Sequence, residues 1–203
     1  MIFLPNYKQA FNFILNNINP KGNVIISGGS NIKSILKFNS NKKNIFKRKV
    51  LLSDERLVRE NSNLRNDKFF YNLINKKFIK KKNFYHYKYK NFTEEKIQIL
   101  DNKIQNIKFQ FAILSLGKNN HIASIFKESE YNIKKNYYLV TDSPKKPKLR
   151  VTVSLHKLKQ TKLIFIVANK NKRKKEIQNL KKTKIFEILK SKIILIVVGK
   201  FNS

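Results

Sequence analysis

The chain has 203 residues, of which 41% are hydrophobic, and it carries a formal net charge of +33. This length fits one medium domain over residues 1–203 with a substantial core. Because the chain has no cysteine, it can build neither a disulfide framework nor a thiolate zinc site, and a reducing cytoplasm is the expected location. The first residues lack the basic flank and cleavage site of a signal peptide, and the apolar run Ile193–Val198 is too short to cross a bilayer, so we expect no membrane partner.

The excess of positive charge has two explanations. A nucleic-acid partner is the first, because basic surfaces bind phosphate backbones. Codon bias is the second, since the abundant residues (Lys, Asn, Ile, Phe and Tyr) are those of A- and T-rich codons, and the lysines are spread over almost every segment. We favour bias and solvated surfaces over a specific nucleic-acid site.

Short apolar runs alternate with helical spacing along the chain. The first helix is predicted over Tyr7–Ile18. Strands are predicted at Asn23–Ser27, Lys49–Ser53, Phe84–Tyr89, Phe109–Leu116, Tyr137–Thr141, Val151–Ser154, Leu163–Ala168 and Ile193–Val198, the last closing the sheet. Further helices are predicted from about Asn31, at Asn63–Ile74, from the Thr93 cap to about Ile107, over the first turns at Ile122–Phe126, and at Asn171–Leu180 and Lys184–Lys190. Asp142–Lys148, with two prolines, is expected to be irregular. The alternation predicts an α/β fold, a mostly parallel sheet with helices on both faces.

A glycine pair lies between the first predicted strand of this series and its helix, in the segment Ser27-Gly28-Gly29-Ser30. Glycines allow a tight turn that brings backbone N–H groups close to a ligand, and a helix start favours an anion such as phosphate. An ordinary strand-to-helix connection would have the same sequence. Glycine is rare here, with five in the chain, which adds some weight to the first interpretation.

Two of the 12 acidic residues follow the strand Lys49–Ser53, in the segment Asp54-Glu55-Arg56. A carboxylate beside a guanidinium is held ionised and oriented, as a catalytic group needs to be. The segment also fits a surface ion pair followed by a helix cap at Ser62 or Asn63, and taken alone this structural explanation is the stronger.

His121 comes four residues after the glycine that ends the apolar run Phe109–Leu116. In open α/β sheets, ligands bind in the crevice at the carboxyl ends of the strands, and imidazole exchanges protons near neutral pH. His121 is therefore the candidate general base. His86 and His156 have no acidic residue nearby in sequence, and we interpret both as structural or surface residues.

Two cations are candidate phosphate ligands. Arg150 begins the alternating strand Arg150-Val151-Thr152-Val153-Ser154, and Lys172 follows the strand Leu163–Ala168. Both can bind phosphate by charge-assisted hydrogen bonds. A single lysine carries little weight in a chain so rich in lysine.

The order of these motifs resembles the 6-phosphogluconolactonase family, which is related to glucosamine-6-phosphate deaminases. Family members show SGGSTP, DERxV with a later SN, GxGxDGHTASLFP and RITLT. The similarity runs from about Val24 to Lys172, and the residues that match best are Asp54 to Val58, Ser62, Asn63, His121, Ala123, Ser124, Phe126, Arg150 and Thr152. The DER arginine and the Ala-Ser-Ile-Phe segment are closer to the lactonases than to the deaminases. The resemblance implies a Rossmann-like, three-layer α/β sandwich.

The chain also departs from the family pattern. The Asp-Gly before the family histidine is Asn119-Asn120 here, the first glycine of GxG is Ser115, and Thr-Pro is Asn31-Ile32. Asparagine tolerates left-handed turn geometry, so Asn120 can replace a glycine. Asn119 does not supply the carboxylate charge.

By resemblance, the expected function is hydrolysis of 6-phospho-D-glucono-1,5-lactone in the oxidative pentose phosphate pathway, without metal or organic cofactor. His121 would be the general base, Arg56 would orient Asp54 or contact the substrate, and Ser27, Gly28, Gly29, Ser30, Arg150 and Lys172 would hold the phosphate. The partner is then a sugar-phosphate lactone, with no specific nucleic acid, and the protein a monomer or homodimer. The alternatives are a homologue with impaired activity, a deaminase-like isomerase and a basic nucleic-acid-binding protein.

Overall fold

The fold is built on a seven-stranded sheet. The computed structural model of the protein describes residues 1–19, 21–38, 48–88 and 93–199. In spatial order the strands are β1 (Ile2–Leu4), β10 (Ile193–Val198), β9 (Leu163–Asn169), β6 (Phe111–Ser115), β2 (Val24–Ile26), β3 (Val50–Leu52) and β5 (Phe84–Tyr85). Each neighbouring pair among these strands is parallel, which confirms the predicted parallel sheet.

The structure also contains a second sheet of three antiparallel strands, which the sequence did not distinguish from the first. It contains β4 (Asp54–Arg56), β8 (Arg150–Val153) and β7 (Tyr137–Val140), in that order. The segment Asp54–Arg56, which was predicted only to follow the strand Lys49–Ser53, is itself a strand. The cause is a change of partner at Ser53, whose carbonyl accepts the Val153 N–H at 2.7 Å, so the chain leaves β3 and pairs at once with β8.

Helices cover both faces of the parallel sheet, as predicted. The helices are α1 (Tyr7–Asn16), α2 (Ser30–Leu36), α3 (Asp67–Asn75), α4 (Glu94–Gln105), α5 (Leu155–Lys159), α6 (Lys174–Asn179) and α7 (Lys184–Leu189). The first three pack on one face, where Val24 and Ile26 point, and the other four pack on the opposite face, where Ile25 points. This alternation along a buried strand is the reason that its sequence is continuously apolar.

Helix α3 begins later than the predicted Asn63, and its cap comes from a distant residue. The buried Glu55 carboxylate accepts the N–H groups of Asn66 at 2.7 Å and Asp67 at 2.8 Å. The hydroxyl of Ser62, expected as a cap, accepts the N–H of Leu64, which lies before the helix. A carboxylate placed at the start of a helix satisfies free N–H groups and interacts well with the helix dipole, so Glu55 takes the role expected of Ser62 or Asn63.

Three further expectations differ from the structure. The segment Ile122–Phe126 is not helical, because Ala123 has a φ of 50° and the chain folds back into a bridge between Ile122 and Ile125. Strand β10 does not close the sheet, since β1 pairs beyond it. Helix α6 starts at Lys174 rather than Asn171.

Tyr89, the last residue of one predicted strand, lies outside the described residues. Among the described residues, no helix is long and apolar enough to span a membrane.

Candidate active site

A cleft of about 200 Å³ opens at the carboxyl ends of the central strands. From β2 the chain proceeds outward to β3 and β5, then returns to β6 on the other side of β2 and continues outward through β9. The two directions part between β2 and β6, which is the topological switch point where open α/β sheets form their binding crevice. Ser27 follows β2 here, and Leu116 and Gly117 follow β6.

The structure brings eight of the nine predicted site residues together around this cleft. They are Ser27, Gly29, Ser30, Asp54, Arg56, His121, Arg150 and Lys172. The ninth, Gly28, does not line the cleft. A Cβ on Gly28 would lie 2.4 Å from the side chain of Asn66, so this glycine allows the start of α3 to pack against the turn.

The glycine turn lies directly opposite the end of β6. Gly29 is the N-cap residue of α2, and its carbonyl accepts the N–H groups of Ile32 and Lys33. A Cβ on Gly29 would come within 2.8 Å of the Ser115 hydroxyl oxygen. The absence of a side chain at Gly29 therefore keeps this part of the cleft open and leaves the backbone of the turn facing it.

His121 is held in one orientation by its own loop. Its Nδ1 lies 2.5 Å from the carbonyl oxygen of Lys118, and Gly117 donates its N–H to the carbonyl of His121. A carbonyl only accepts hydrogen bonds, so Nδ1 carries the proton and the neutral ring keeps a lone pair on Nε2. The ring fills the space above Gly117, where a Cβ would lie 2.2 Å from Nε2. Because Gly117 has no side chain, the imidazole can occupy this part of the cleft wall.

The pKa of His121 is lowered to about 4, chiefly by burial and also by the charges of Lys145 and Arg150, against the opposing effects of the Lys118 carbonyl and Asp54. The imidazole is therefore neutral at physiological pH. A neutral imidazole with a free Nε2 lone pair can accept a proton from a water molecule, as a general base must.

Asp54 is connected to Arg150 through Ser124. The Asp54 carboxylate accepts the hydroxyls of Ser53 at 2.9 Å and Ser124 at 2.9 Å. The Ser124 oxygen in turn lies 3.4 Å from the Arg150 guanidinium, and the Ser124 N–H donates to Thr152. Ser124 is fully buried, so this network fixes the two charged groups on strands β4 and β8.

Arg56 lines the cleft, and within the described part of the chain it makes no hydrogen bond or ion pair with Asp54. One guanidinium nitrogen donates to the carbonyl of Leu64 at 2.6 Å. Its Nε is buried without a hydrogen-bond partner among the described residues, as is the hydroxyl of Ser115, which also lines the cleft. Buried donors without partners are costly in a folded protein, and two of them in one cleft wall indicate a place for a polar ligand.

The cleft is strongly cationic, and sequence reasoning missed part of this charge. Lys145 and Arg173 join the three predicted cations, whereas Asp54 is the one acidic side chain among the described residues of the lining. Burial lowers the pKa of Lys145, and the charges of Arg173, Lys118 and Arg150 lower it further. Such mutual repulsion is relieved when an anion binds.

A signal for these cations was present in the sequence. Only six of the 45 basic residues are arginines, and three of the six line this cleft: Arg56, Arg150 and Arg173. Asn66 was also missed. Its side-chain amide donates to the Asp54 carbonyl at 2.9 Å, a contact between the residue before α3 and strand β4 that local sequence patterns do not encode.

The other two histidines lie away from the cleft. His86 is buried against Phe84 and lies 3.3 Å from the carboxylate of Asp67, while His156 is exposed on α5 and contacts Gln160. Within the described ranges, no group of three or more His, Asp or Glu side chains is arranged to hold a metal ion.

Fold and cleft together define an α/β protein with a cationic cleft at the carboxyl edge of a parallel sheet. The family model for glucosamine-6-phosphate isomerases/6-phosphogluconolactonase matches residues 12–185, and the chain belongs to this family. The expected fold and family are thereby confirmed. Comparison with curated protein sequences finds no match.

Solved structures agree with this assignment, and most of the similar ones are 6-phosphogluconolactonases. The chain is similar to 6-phosphogluconolactonase from Thermotoga maritima, with a TM-score of 0.82, 23% identity and coverage of 98% of both chains. It is similar to 6-phosphogluconolactonase from Plasmodium vivax, with a TM-score of 0.75, 21% identity and coverage of 98% of this chain and 90% of that one. A monomeric glucosamine-6-phosphate deaminase also matches, with a TM-score of 0.73, 13% identity and coverage of 98% and 97%. At these identities the likeness shows the fold.

Proposed function

We propose that the protein hydrolyses a phosphorylated sugar lactone, 6-phospho-D-glucono-1,5-lactone, to 6-phosphogluconate. The observation that carries the proposal is the shared cleft, in which a neutral imidazole at His121 faces five cationic side chains. A lactone phosphate has both features that such a cleft recognises, an electrophilic carbonyl carbon and a dianionic group. The family and its named structural relatives support the same substrate.

His121 performs the proton transfers in this proposal. Its Nε2 takes a proton from water as the water oxygen bonds to the lactone carbonyl carbon. The tetrahedral intermediate then collapses, the bond from that carbon to the ring oxygen breaks, and Nε2 returns the proton to the ring oxygen. The products are the open-chain carboxylic acid, which ionises, and a free hydroxyl. General acid–base help of this kind contributes about 10²- to 10⁴-fold in rate.

The phosphate is held by the cations across the cleft and by the backbone of the glycine turn. Arg150 offers a planar guanidinium whose position is fixed by the carbonyls of Pro147 and Lys145 at 3.1 Å each. Lys172 lies in the short connection between β9 and α6, where its N–H donates to the Asn169 side chain. Holding the phosphate at a fixed distance from His121 places the carbonyl carbon beside Nε2, which lowers the entropic part of the barrier.

The direct test is a lactonase assay on the purified protein beside its His121→Ala variant. We expect turnover of the lactone above the uncatalysed rate in the wild type and its loss in the variant. An Asn119→Asp variant addresses the alternative of impaired activity, because it restores the carboxylate of the family motif; a large gain would show that the asparagine is a handicap. No turnover by the wild type would contradict the proposal.

Parallel measurements on the same protein test two other functions, deamination and nucleic-acid binding. Because a deaminase shares the fold, ammonia release from glucosamine 6-phosphate is measured on the same sample, and release without lactone hydrolysis would reassign the chain. The net charge calls for a binding titration with single- and double-stranded DNA at several salt concentrations. We expect weak binding that is lost at physiological salt, since nonspecific phosphate contacts are strongly salt-dependent.

A further inference from the structure

The loop that carries His121 has a conformation that its own residues disfavour. Asn119 and Asn120 have φ values of 61° and 58°, both in the left-handed region. A non-glycine residue in that region costs roughly 1–2 kcal/mol, and asparagine is among the residues that tolerate it best. Two such residues in succession persist only where the surroundings determine the conformation.

Helix α6 supplies those surroundings through one residue. The side-chain amide of Asn120 donates to the main-chain carbonyl of Glu176 at 2.6 Å. The carboxylate of Glu176 accepts the N–H of Asn119 at 3.3 Å. One residue of α6 thus contacts both left-handed residues, once through its backbone and once through its side chain.

The helix itself is fixed to the same strand end from which the loop departs. Arg173 donates from Nε to the carbonyl of Leu116 at 3.3 Å, and its N–H donates to the carbonyl of Asn169. Ile177, next to Glu176, is buried in the core. The loop is therefore held between β6 and an anchored helix.

We propose that Asn120 and Glu176 form a clamp that positions His121 for proton transfer. The clamp fixes the turn at residues 118–120, and that turn carries the Lys118 carbonyl which holds the imidazole Nδ1. Asn120 and Glu176 are positioning residues and do not touch the substrate. The inference rests on the proposed function, because it assigns them a role in that reaction. It also gives a reason for asparagine where the family motif has glycine, since glycine adopts the same backbone conformation but has no amide to donate.

The test compares Asn120→Gly and Glu176→Ala with wild type by kinetics and by NMR. Asn120→Gly keeps the left-handed backbone and removes the tether, and Lys77→Gly is the matched control, since Lys77 also has a φ of 60° and does not line the cleft. Glu187→Ala, on the exposed side of α7, is the control for Glu176→Ala. Glu176→Gln keeps an oxygen acceptor for the Asn119 N–H, so this variant should behave largely as wild type.

With only three histidines, the nitrogen and carbon-bound proton signals of His121 can be assigned by comparison with His121→Ala. We expect the Nδ1-protonated form of His121 to be less populated in Asn120→Gly and Glu176→Ala. We also expect kcat to fall about tenfold with KM changed less than about twofold, because misplacement of a catalytic group affects the chemical step. Both controls should match wild type.

The clamp is refuted if His121 signals in both variants match the controls. It is also refuted if kcat is unchanged, or if kcat falls while the imidazole signals stay as in wild type, because the residues would then act by another route. The NMR comparison needs no substrate. A wild type without lactonase activity would therefore contradict the proposed function and leave the clamp to be judged by the His121 signals.

Discussion

His121 and His86 occupy contrasting environments in the same fold. The imidazole of His121 donates to a backbone carbonyl and leaves its second nitrogen in a cleft lined by cations. His86 lies between the Asp67 carboxylate and the hydroxyl of Tyr71, stacked on Phe84 with ring centroids 4.5 Å apart. Its Nε2 lies 3.2 Å from the Tyr71 hydroxyl oxygen and its Nδ1 3.3 Å from the Asp67 carboxylate.

The comparison shows how partners decide what a histidine does. A ring whose second nitrogen lacks a protein partner is available for proton transfer, whereas a ring enclosed by a carboxylate, a phenol and an aromatic face stabilises packing. Asp67 also binds Arg65 through two contacts, so His86 is part of a buried charged network. We therefore expect substitutions at the two histidines to separate activity from stability.

The largest effect is expected for His121→Ala. Lactone turnover should fall by about 10²- to 10⁴-fold, because the general base is removed. The melting temperature should change little, since the ring mainly fills space above Gly117. An activity assay and a thermal melt on the same sample measure both. Wild-type turnover in this variant would eliminate the mechanism.

The next largest effect is expected for Arg150→Lys. The variant keeps the charge but loses the planar fork, and a hydrogen bond to a charged group is worth about 1.5–3 kcal/mol, which corresponds to roughly 10- to 150-fold in kcat/KM. The loss should appear mainly in KM, as expected for a phosphate ligand. Arg59→Lys, at an exposed position, is the control and should behave as wild type. A loss confined to kcat would assign Arg150 another role.

His86→Ala is expected to reverse the behaviour of His121→Ala. Removing a buried ring that contacts Asp67 should destabilise the fold by about 1–3 kcal/mol, while turnover per folded molecule stays within about twofold of wild type. Urea unfolding measures the first and an activity assay at low temperature the second. His156→Ala, on the exposed face of α5, is the matched control. If His86→Ala lost turnover per folded molecule without losing stability, the contrast between the two histidines would be wrong.

The smallest effect is expected for kcat between pH 5 and 7. Because the pKa of His121 is lowered to about 4, the neutral base is present throughout this range, and kcat at saturating lactone should be nearly constant there. The value of kcat/KM should instead fall below about pH 6, because the phosphate of the free substrate, with a second pKa of about 6, loses its dianionic form. A pH–rate profile and an NMR titration of the imidazoles in the free protein measure both. A pKa of His121 near 6.5 in the free protein would show that burial does not control this histidine.

Most of the parallel sheet was predictable because its strands are buried on both faces. The run Ile193–Val198 is apolar without interruption, and Phe109–Leu116 is apolar apart from Gln110 and Ser115. The Thr93 cap was also predicted correctly as the start of α4. Strand β1 was missed because three residues carry too little periodicity. The antiparallel sheet was missed because strand β4 follows β3 after a single residue, and only pairing with β8 separates them.

The candidate site was predictable where its residues follow strands directly. Ser27, Asp54, His121 and Lys172 each lie shortly after a strand, and parallel strands bring their carboxyl ends to one edge. The roles of Ser124, Asn66 and Glu176 were not predictable in this way. Their partners are 70, 12 and 56 residues away in sequence, so the contacts depend on how the loops pack.

The sequence by itself determined the alternation of strands and helices and the order of motifs that places the chain in its family. Both depend on local signals, because apolar runs indicate which segments are buried and turn residues indicate where the chain changes direction. Tertiary structure alone decided which histidine keeps a nitrogen free, how burial sets its pKa, and which carboxylate caps α3. These properties depend on distances between segments far apart in the chain. The interaction of charges, hydrogen bonds and solvent varies steeply over a few ångströms, and the packed fold sets those distances.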